Sequence, residues 1–355
     1  MSYSRTQRDS LPRPLLAVLI MILLALASGC GNKVSSTTGT ASGGDDQSGV
    51  EKGTSRLLPA HLPAATASNF DVVAARYNPE TAPVKPGPKT FNLTTEEQRV
   101  KLGNQVATLW TFNKTAPGPV LRAVVGDKIT VNLTNNMKSK MFHSVDFHAS
   151  RMSLGGGDVQ VAPGKTGTFT FTAEYPGLFM YHCATAPVLL HIGSGMYGML
   201  IVQPKEGFGP KMREFAVVQS ELYRDFTDMQ AGHESNVVMN GIPHQYVDAP
   251  IKLPADANVR LFYLDAGPSK VASFHVVGTV FDRVLSDGNP RNATYGRQAV
   301  AVPVSGGGVF EFKLVGEGKF PFLTHAFHDV DSGAVGIFQT GDGDRLGNGS
   351  PMMAH

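Results

Sequence analysis

One short stretch of the chain gathers side chains that bind soft metal ions. Between residues 179 and 196 they follow in the order His182, Cys183, His191 and Met196. Each of them alone would more often be a packed core residue, but four in order at this spacing favour a common role. Imidazole, thiolate and thioether groups form the ligand set of blue-copper electron-transfer sites, with two His and one Cys in a plane and Met on the axis. The stretch therefore predicts a copper site.

A second histidine pair, His143 and His148, lies upstream, with Asp146 between the two. Successive strand residues point to opposite faces of a sheet. His143 and His148, five residues apart, are therefore expected on opposite faces, and so are the adjacent His182 and Cys183. One predicted group is His143 and Cys183 with the loop residues His191 and Met196, and the other is Asp146, His148 and His182. We predict one site inside a domain and a second on its outer surface, joined by the His182–Cys183 peptide.

Short strands must position these groups, because apolar runs are brief and the 355 residues include 39 Gly and 23 Pro. Strand-like runs lie at 106–112, 128–134, 197–203, 259–264 and 310–314. Such spacing indicates all-β Greek-key sandwiches or barrels. We predict two domains, 89–203 and 204–342, and a disordered tail at 343–355. The second domain contains no Cys, so it cannot hold a blue-copper site.

The N-terminus is typical of a secretory signal, because basic residues precede an apolar run at 15–27 that is too short to span a bilayer comfortably. The residues that end in Cys30 resemble the lipobox of bacterial lipoproteins, whose Cys becomes the lipidated N-terminus. We predict a signal peptide at 1–29 and a flexible tether at 30–88. We predict a lipid-anchored protein of the cell envelope. Residue 31 is Gly and not Asp, which by the bacterial sorting pattern favours the outer membrane of a Gram-negative bacterium. A plain secreted protein with an incidental Cys30 is the alternative.

Charge and cysteine content argue against two further classes. The formal net charge is +2 and no basic run is present, so we expect no nucleic-acid partner. The two cysteines, Cys30 and Cys183, each have a local explanation, so we expect no disulfide framework.

The motifs resemble those of the two-domain copper nitrite reductases, within the multicopper oxidase and cupredoxin superfamily, over residues 89–340. Besides the donors, the resemblance rests on Trp110-Thr-Phe-Asn, Pro117-Gly-Pro, Leu154-Gly-Gly-Gly, Met239-Asn-Gly, Ser273-Phe-His-Val and Thr324-His. It implies two tandem cupredoxin-like domains, a homotrimer and two coppers per subunit. The separation of Cys183 and His191 is one residue shorter than in the green and blue branches. It resembles that of the outer-membrane lipoprotein branch and leaves the colour open.

Carried over residue by residue, the resemblance implies a role for each donor. The type 1 copper ligands are expected to be His143, Cys183, His191 and Met196. The type 2 ligands are expected to be His148, His182 and, from a neighbouring subunit, His325, with His328 as its competitor. Asp146 is expected to hydrogen-bond nitrite, and His275 to be the second proton donor.

The reaction that the resemblance implies is the one-electron reduction of nitrite to nitric oxide and water, with the electron passed from type 1 to type 2 copper. The expected electron donor is a periplasmic cupredoxin or a c-type cytochrome. Two alternatives are a laccase-like two-domain multicopper oxidase and a non-catalytic copper-binding electron-transfer lipoprotein. The first needs His-X-His pairs, which the chain lacks. The second leaves His148, His182 and His325 without a role.

Overall fold

The computed structural model describes residues 64–65, 79–102, 105–153 and 159–341, all of which belong to one compact unit of the chain. The predicted signal peptide, Cys30, the glycine run that follows Leu154 and the tail at 343–355 lie outside the described residues. Among the described residues, no helix has both the length and the apolar character needed to cross a membrane.

Most elements are short strands. The first ten are β1 (Ala64–Ala65), β2 (Glu80–Thr81), β3 (Lys89–Leu102), β4 (Gln105–Phe112), β5 (Leu121–Val124), β6 (Lys128–Asn135), β7 (Asp146–Phe147), β8 (Thr166–Thr172), β9 (Gly177–His182) and β10 (Tyr197–Gln203). The others are β11 (Arg213–Leu222), β12 (Asn236–Met239), β13 (Ala249–Leu253), β14 (Asn258–Asp265), β15 (Ala272–Val276), β16 (Arg283–Ser286), β17 (Ala293–Thr294), β18 (Ala299–Val302), β19 (Gly307–Lys313), β20 (Gly318–Thr324) and β21 (Val335–Thr340). The helices are α1 (Val188–Gly193), α2 (Phe226–Ala231), α3 (Gln245–Asp248) and α4 (Phe327–Asp331), with a 3-10 turn at Pro290–Asn292.

The first sandwich consists of two sheets that share one core. One sheet has the order β1-β3-β6-β8, with β4 paired to β3, and the other has the order β5-β10-β9-β7. In β6 the apolar Ile129, Val131 and Leu133 are buried and alternate with more exposed residues, as expected for a sheet with one solvated face. They share their core with Leu200 and Val202 of the other sheet.

The second sandwich repeats this arrangement with other side chains. One sheet has the order β12-β11-β14-β19-β16-β17, with β2 paired to β11, and the other has the order β13-β21-β20-β15-β18. Its core is rich in aromatic rings. The ring centroid of Phe274 lies 4.1 Å from that of Tyr263 and 4.9 Å from that of Phe310. Aromatic pairs at such separations add to the stabilisation that comes from burial alone.

A third apolar core joins the two sandwiches. Leu178, Met180 and Ile201 of β9 and β10 pack in one cluster with Val218 and Phe262 of β11 and β14. Because β10 and β11 lie between two cores, their residues are buried on both faces and show no alternation. The sheet that carries β9 is therefore fixed from both sides.

A network of buried ion pairs crosses the same boundary through its Arg122–Glu214 pair. Arg122 of β5 donates to Glu214 of β11 at 2.8 Å. Arg260 of β14 donates to Glu214 at 2.9 Å and to Glu311 of β19 at 2.7 Å. Loss of one partner from a buried pair typically costs ~3–5 kcal/mol, because the remaining charge is left uncompensated. These pairs help to hold the two sandwiches in one arrangement.

The all-β fold predicted from the strand pattern is confirmed, and two local features differ from the prediction. His191 lies in the short helix α1 instead of a loop. The predicted tether at 30–88 includes β1 and β2, which pair with β3 and β11, and Ala216 N–H donates to the Pro79 carbonyl at 2.7 Å. Sheet pairing, which depends on distant residues, orders these segments despite their loop-like composition. The predicted domain boundary at 203/204 falls between β10 and β11 and stays a prediction.

Candidate metal centres

Three donor atoms converge inside the first sandwich. His143 Nδ1 and His191 Nδ1 are 3.3 Å apart, and Cys183 Sγ lies 3.1 Å from His191 Nδ1 and 4.0 Å from His143 Nδ1. All three side chains are fully buried. We call His143, Cys183 and His191 the first donor cluster.

Backbone hydrogen bonds position the first donor cluster. His143 forms an isolated bridge with Val161, with N–O distances of 3.1 and 2.7 Å. Cys183 directly follows β9, and its N–H donates to the Met196 carbonyl at 3.0 Å. Met196 N–H in turn donates to the His191 carbonyl at 3.1 Å, and the Met196 side chain is buried in the same core. The turn of α1 thus brings His191 back onto Cys183.

Contacts within the cluster shift its pKa values. Burial by itself raises the pKa of the Cys183 thiol, but hydrogen bonds and charge from His143 and His191 lower this pKa well below its ordinary value. Burial lowers the pKa of His143, yet hydrogen bonds to Cys183 and Glu97 leave that pKa raised overall. The cluster therefore favours the thiolate, which is the form of cysteine that binds metals.

The geometry of the first donor cluster fits a bound copper ion. Donor atoms that lie about 2.0–2.3 Å from a common ion are about 3–4 Å apart, and the three observed separations fall in that range. Ser144 N–H donates to Cys183 Sγ at 3.3 Å and so provides the sulfur with a further stabilising contact. Two imidazoles and one thiolate are the planar ligand set of a type 1 copper site.

Glu97 of β3 contacts this cluster and was missed by the motif analysis. Its side chain is 2% exposed, and its Oε1 lies 2.9 Å from His143 Nε2. An Nε2–H donated to Glu97 leaves the ring lone pair on Nδ1, the atom that faces Cys183. Strand parity gave only a weak signal, because Glu97 shares its face of β3 with the buried Phe91, Leu93 and Thr95.

Asp146, His148 and His182 form the second donor cluster, on the other side of the same strands. The antiparallel register pairs Asp146 of β7 with His182 of β9, which places both side chains on one face. His182 Nε2 lies 3.1 Å from His148 Nε2 and 3.9 Å from Asp146 Oδ2. Asp146 and His182 are half-buried, and His148 is exposed.

The surroundings of His148 in the second donor cluster favour its neutral imidazole, the form that binds metals. Burial and the neighbouring His182 lower the pKa of His148, against the opposing effect of Asp146. His182 Nδ1 lies 2.9 Å from the Cys183 carbonyl oxygen, so this nitrogen carries the proton and Nε2 keeps its lone pair toward His148. A single peptide, His182–Cys183, therefore joins the two clusters.

His275 and His325 lie in the second sandwich, and neither is part of the second donor cluster of the described chain. Their ring centroids are 5.1 Å apart. His275 Nδ1 is hydrogen-bonded to the Gln298 carbonyl, and His325 N–H donates to the Ser273 carbonyl at 2.7 Å. The competing His328 has a side chain that is 84% exposed and pairs with Asp329 at 3.7 Å. The structure groups His325, and not His328, with His275.

Comparison with known proteins first gives the class. Residues 94–207, which contain both donor clusters, match the family model of the multicopper oxidases. The match agrees with the sandwich fold and with the two imidazoles and one thiolate of the first donor cluster. These features define a multicopper protein of the cupredoxin type.

Individual relatives narrow the class to one family. The chain is 36% identical over 267 residues to the copper-containing nitrite reductase of Neisseria gonorrhoeae, which covers 71% of this chain and 68% of the relative. The corresponding protein of Neisseria meningitidis serogroup A is also 36% identical, over 71% of this chain and 69% of the relative. The solved copper nitrite reductase from Nitrosomonas europaea has a TM-score of 0.69 and 32% identity, over 72% of this chain and 94% of that structure. The chain belongs to the copper-containing nitrite reductases.

Proposed function

We propose that the protein reduces nitrite to nitric oxide and water, with one electron and two protons consumed in each turnover. The relatives and the solved structure above are named copper nitrite reductases. The observation that carries the proposal is the pair of donor clusters joined by the His182–Cys183 peptide. Bound copper supplies the one-electron redox chemistry at the first cluster and a Lewis-acidic position for nitrite at the second.

The burial of the clusters supports this division of roles. The first donor cluster, to which Met196 would add a thioether ligand, is closed to solvent, so it suits an electron-transfer site that substrate does not enter. The second donor cluster reaches the surface through the exposed His148, so a small anion has access to it. The peptide bond between His182 and Cys183 provides a short covalent path for the electron between the two donor clusters.

Two proton donors are needed, because one nitrite oxygen leaves as water. Asp146 has a half-exposed carboxyl 3.9 Å from His182 Nε2, and it is well placed to hydrogen-bond a substrate at the second donor cluster. His275 is the second proposed donor, and its Nδ1 contact with the Gln298 carbonyl leaves Nε2 for proton exchange. Positioned proton transfer contributes typically ~10²–10⁴-fold to a rate.

The third ligand of the type 2 copper is proposed to be His325 of a neighbouring subunit in a homotrimer. Within one chain the second donor cluster contains two imidazoles and a carboxylate. His325 is exposed, stacks against His275 and contacts the ring of Phe327, which is itself 62% exposed. An exposed histidine beside an exposed aromatic ring is well suited to a contact between subunits.

The cellular setting is proposed from the sequence. A lipidated Cys30 would anchor the protein in the cell envelope, at the outer membrane of a Gram-negative bacterium. The electron would come from a periplasmic cupredoxin or a c-type cytochrome. Mass spectrometry of the membrane-extracted protein tests the anchor, since acylation at Cys30 supports it and an unmodified N-terminus beyond residue 29 contradicts it.

The central experiment combines metal analysis with nitrite-dependent nitric oxide release by the full-length, copper-loaded protein and a reduced artificial donor. We expect two coppers per chain and one nitric oxide for each electron delivered, with no release from zinc-loaded protein. Two coppers without nitric oxide would favour the electron-transfer alternative. Oxygen consumption in place of nitrite turnover would favour the laccase-like alternative.

The oligomer has a separate test. Analytical ultracentrifugation is expected to give a trimer, and dilution that dissociates it is expected to remove the type 2 copper and turnover while the type 1 absorption persists. A fully active monomer would show that His325 of another subunit is not required.

A further inference from the structure

The carboxylate of Glu97 accepts hydrogen bonds from N–H groups of the segment that leads into His143. Its Oε1 lies 2.9 Å from His143 Nε2, 3.1 Å from Lys140 N and 3.3 Å from Met141 N, and its Oε2 lies 3.1 Å from Lys140 N. The backbone N–H groups of Lys140 and Met141 are donors, so the Glu97 carboxylate is the acceptor in these hydrogen bonds. One carboxylate therefore holds the ring of His143 and the two peptide groups just before it.

Two other buried carboxylates of the described chain are neutralised by arginine. Glu214 is shared by Arg122 and Arg260, and Glu311 is shared by Arg260 and Arg283. Glu97 is as deeply buried, yet among the described residues its ion pair is formed with His143. Its negative charge is therefore directed at the first donor cluster.

Trp110 of β4 completes this wall of the cluster. It is the cross-strand partner of Glu97, and its ring meets the rings of His143 and His191 edge-on, at centroid distances of 5.5 and 4.9 Å. The indole is fully buried and excludes water from the space beside the carboxylate. In a dry surrounding a charge acts over a longer range and is screened less.

From these contacts we propose that Glu97 is a positioning residue of the type 1 centre that also stabilises its oxidised, more positive state. The inference rests on the proposed copper role of the first donor cluster, and it is independent of nitrite reduction. Its hydrogen bond fixes the tautomer of His143, with Nδ1 toward Cys183. Its charge favours divalent over monovalent copper, because the divalent ion carries the larger positive charge.

Two variants separate the hydrogen bond from the charge. Glu97→Gln keeps an oxygen acceptor of the same reach and removes the charge, and Glu97→Ala removes both. The matched control is Glu96→Gln, since Glu96 is the adjacent residue and pairs weakly with Lys114 at 3.9 Å. Each full-length protein is loaded with copper, and the thiolate-to-copper absorption is followed in a redox titration and in a competition for copper.

For Glu97→Gln we expect at least a tenfold shift toward the reduced state, about 59 mV upward for one electron, with copper affinity near that of wild type. For Glu97→Ala we expect copper affinity to fall about 10–100-fold. The Glu96 control is expected to match wild type in both. An unchanged midpoint in Glu97→Gln would overturn the charge effect, and unchanged affinity in Glu97→Ala would overturn the positioning role. Absence of the absorption in wild type would instead refute the proposed copper centre.

Discussion

The two sandwiches share an architecture but bury different kinds of side chain. The first encloses two imidazoles, a thiolate and the carboxylate of Glu97 around one point. The second encloses an aromatic core and, at its edge, the buried acids Glu221, Asp265 and Asp329. Lys270 bridges Asp329 and the neighbouring Glu234 at 2.6 and 2.5 Å. One fold thus provides a soft-donor interior in one copy and an acidic interior in the other.

Both sandwiches use an antiparallel strand pair to align polar side chains. The β7–β9 pair aligns Asp146 with His182, and the β15–β20 pair carries His275, with His325 directly after β20. In the first sandwich the peptide after His182 also reaches the buried cluster. In the second sandwich the pair faces the surface without such a cluster behind it. An interior centre can therefore be complete within one chain, whereas an exposed pair of side chains is accessible to a second subunit.

The largest expected effect is that of Cys183→Ser, which removes the thiolate from the first sandwich. A serine hydroxyl is not ionised at neutral pH, so we expect complete loss of the thiolate-to-copper absorption and of donor-driven turnover. The second donor cluster is expected to keep its copper in metal analysis. Thr185→Ser, a buried neighbour, is the control, and a Cys183→Ser protein with wild-type absorption would refute the type 1 assignment.

His325→Ala tests the contribution of the second sandwich. We expect the copper content to fall from two to one per chain and turnover to be lost, while the type 1 absorption remains, because one of the three proposed imidazole ligands of the type 2 copper is gone. His328→Ala is the matched control and is expected to keep two coppers. If His328→Ala loses the copper and His325→Ala keeps it, the third ligand is His328 and the assignment of His325 is wrong.

Asp146→Asn is expected to lower turnover by at least about 10²-fold, because a positioned proton donor is lost. His275→Ala is expected to behave similarly. Both variants should keep two coppers and the type 1 absorption, so steady-state turnover and metal analysis are measured together. Asp282→Asn, which changes an exposed aspartate of the second sandwich, is the control and is expected to keep full activity. Full activity in Asp146→Asn would refute the role of Asp146.

The smallest expected effect concerns the pH dependence of stability in the second sandwich. Burial, together with Glu221 and Asp329, raises the pKa of Asp265 to about 7, although backbone hydrogen bonds from Ala272 and Gly267 oppose the shift. A raised folded-state pKa means that stability is fully present below the unfolded-state value of 3.8 and is lost as pH rises through about 7.

The loss across that window is at most about 4 kcal/mol, from ~1.4 kcal/mol for each pKa unit. Denaturant unfolding between pH 5 and pH 8 covers about two of these units, so it is expected to show a decline of at most about 3 kcal/mol in wild type and a flatter profile in Asp265→Asn. Asp282→Asn is expected to keep the wild-type profile. Equal slopes in all three proteins would contradict the assignment of the decline to Asp265.

Much of the candidate site follows from local sequence rules. Strand parity predicts that His182 and Cys183 serve different sites, because a pleated strand turns alternate residues to opposite faces. The structure shows the same division, with Cys183 in the buried cluster and His182 in the second. The helix α1 was not predicted, because its apolar segment is too short to show helical periodicity.

Other features depend on contacts that are distant in sequence. Glu97 meets His143 through a side-chain contact across 46 positions of the sequence, and no spacing motif encodes that contact. The stacking of His325, and not His328, on His275 depends on the β15–β20 register, since both histidines lie in one short segment. The burial of β10 on both faces requires the second sandwich to cover it.

The sequence by itself determined the all-β class, the donor types, their order and their division between two faces, since these follow from side-chain chemistry and the two-residue period of a strand. The tertiary structure decided which atoms meet. It closed α1 over Cys183, placed the charge of Glu97 behind His143 and set His325 beside His275. These contacts depend on register and on packing between sheets, which are fixed by the whole fold and by no single segment.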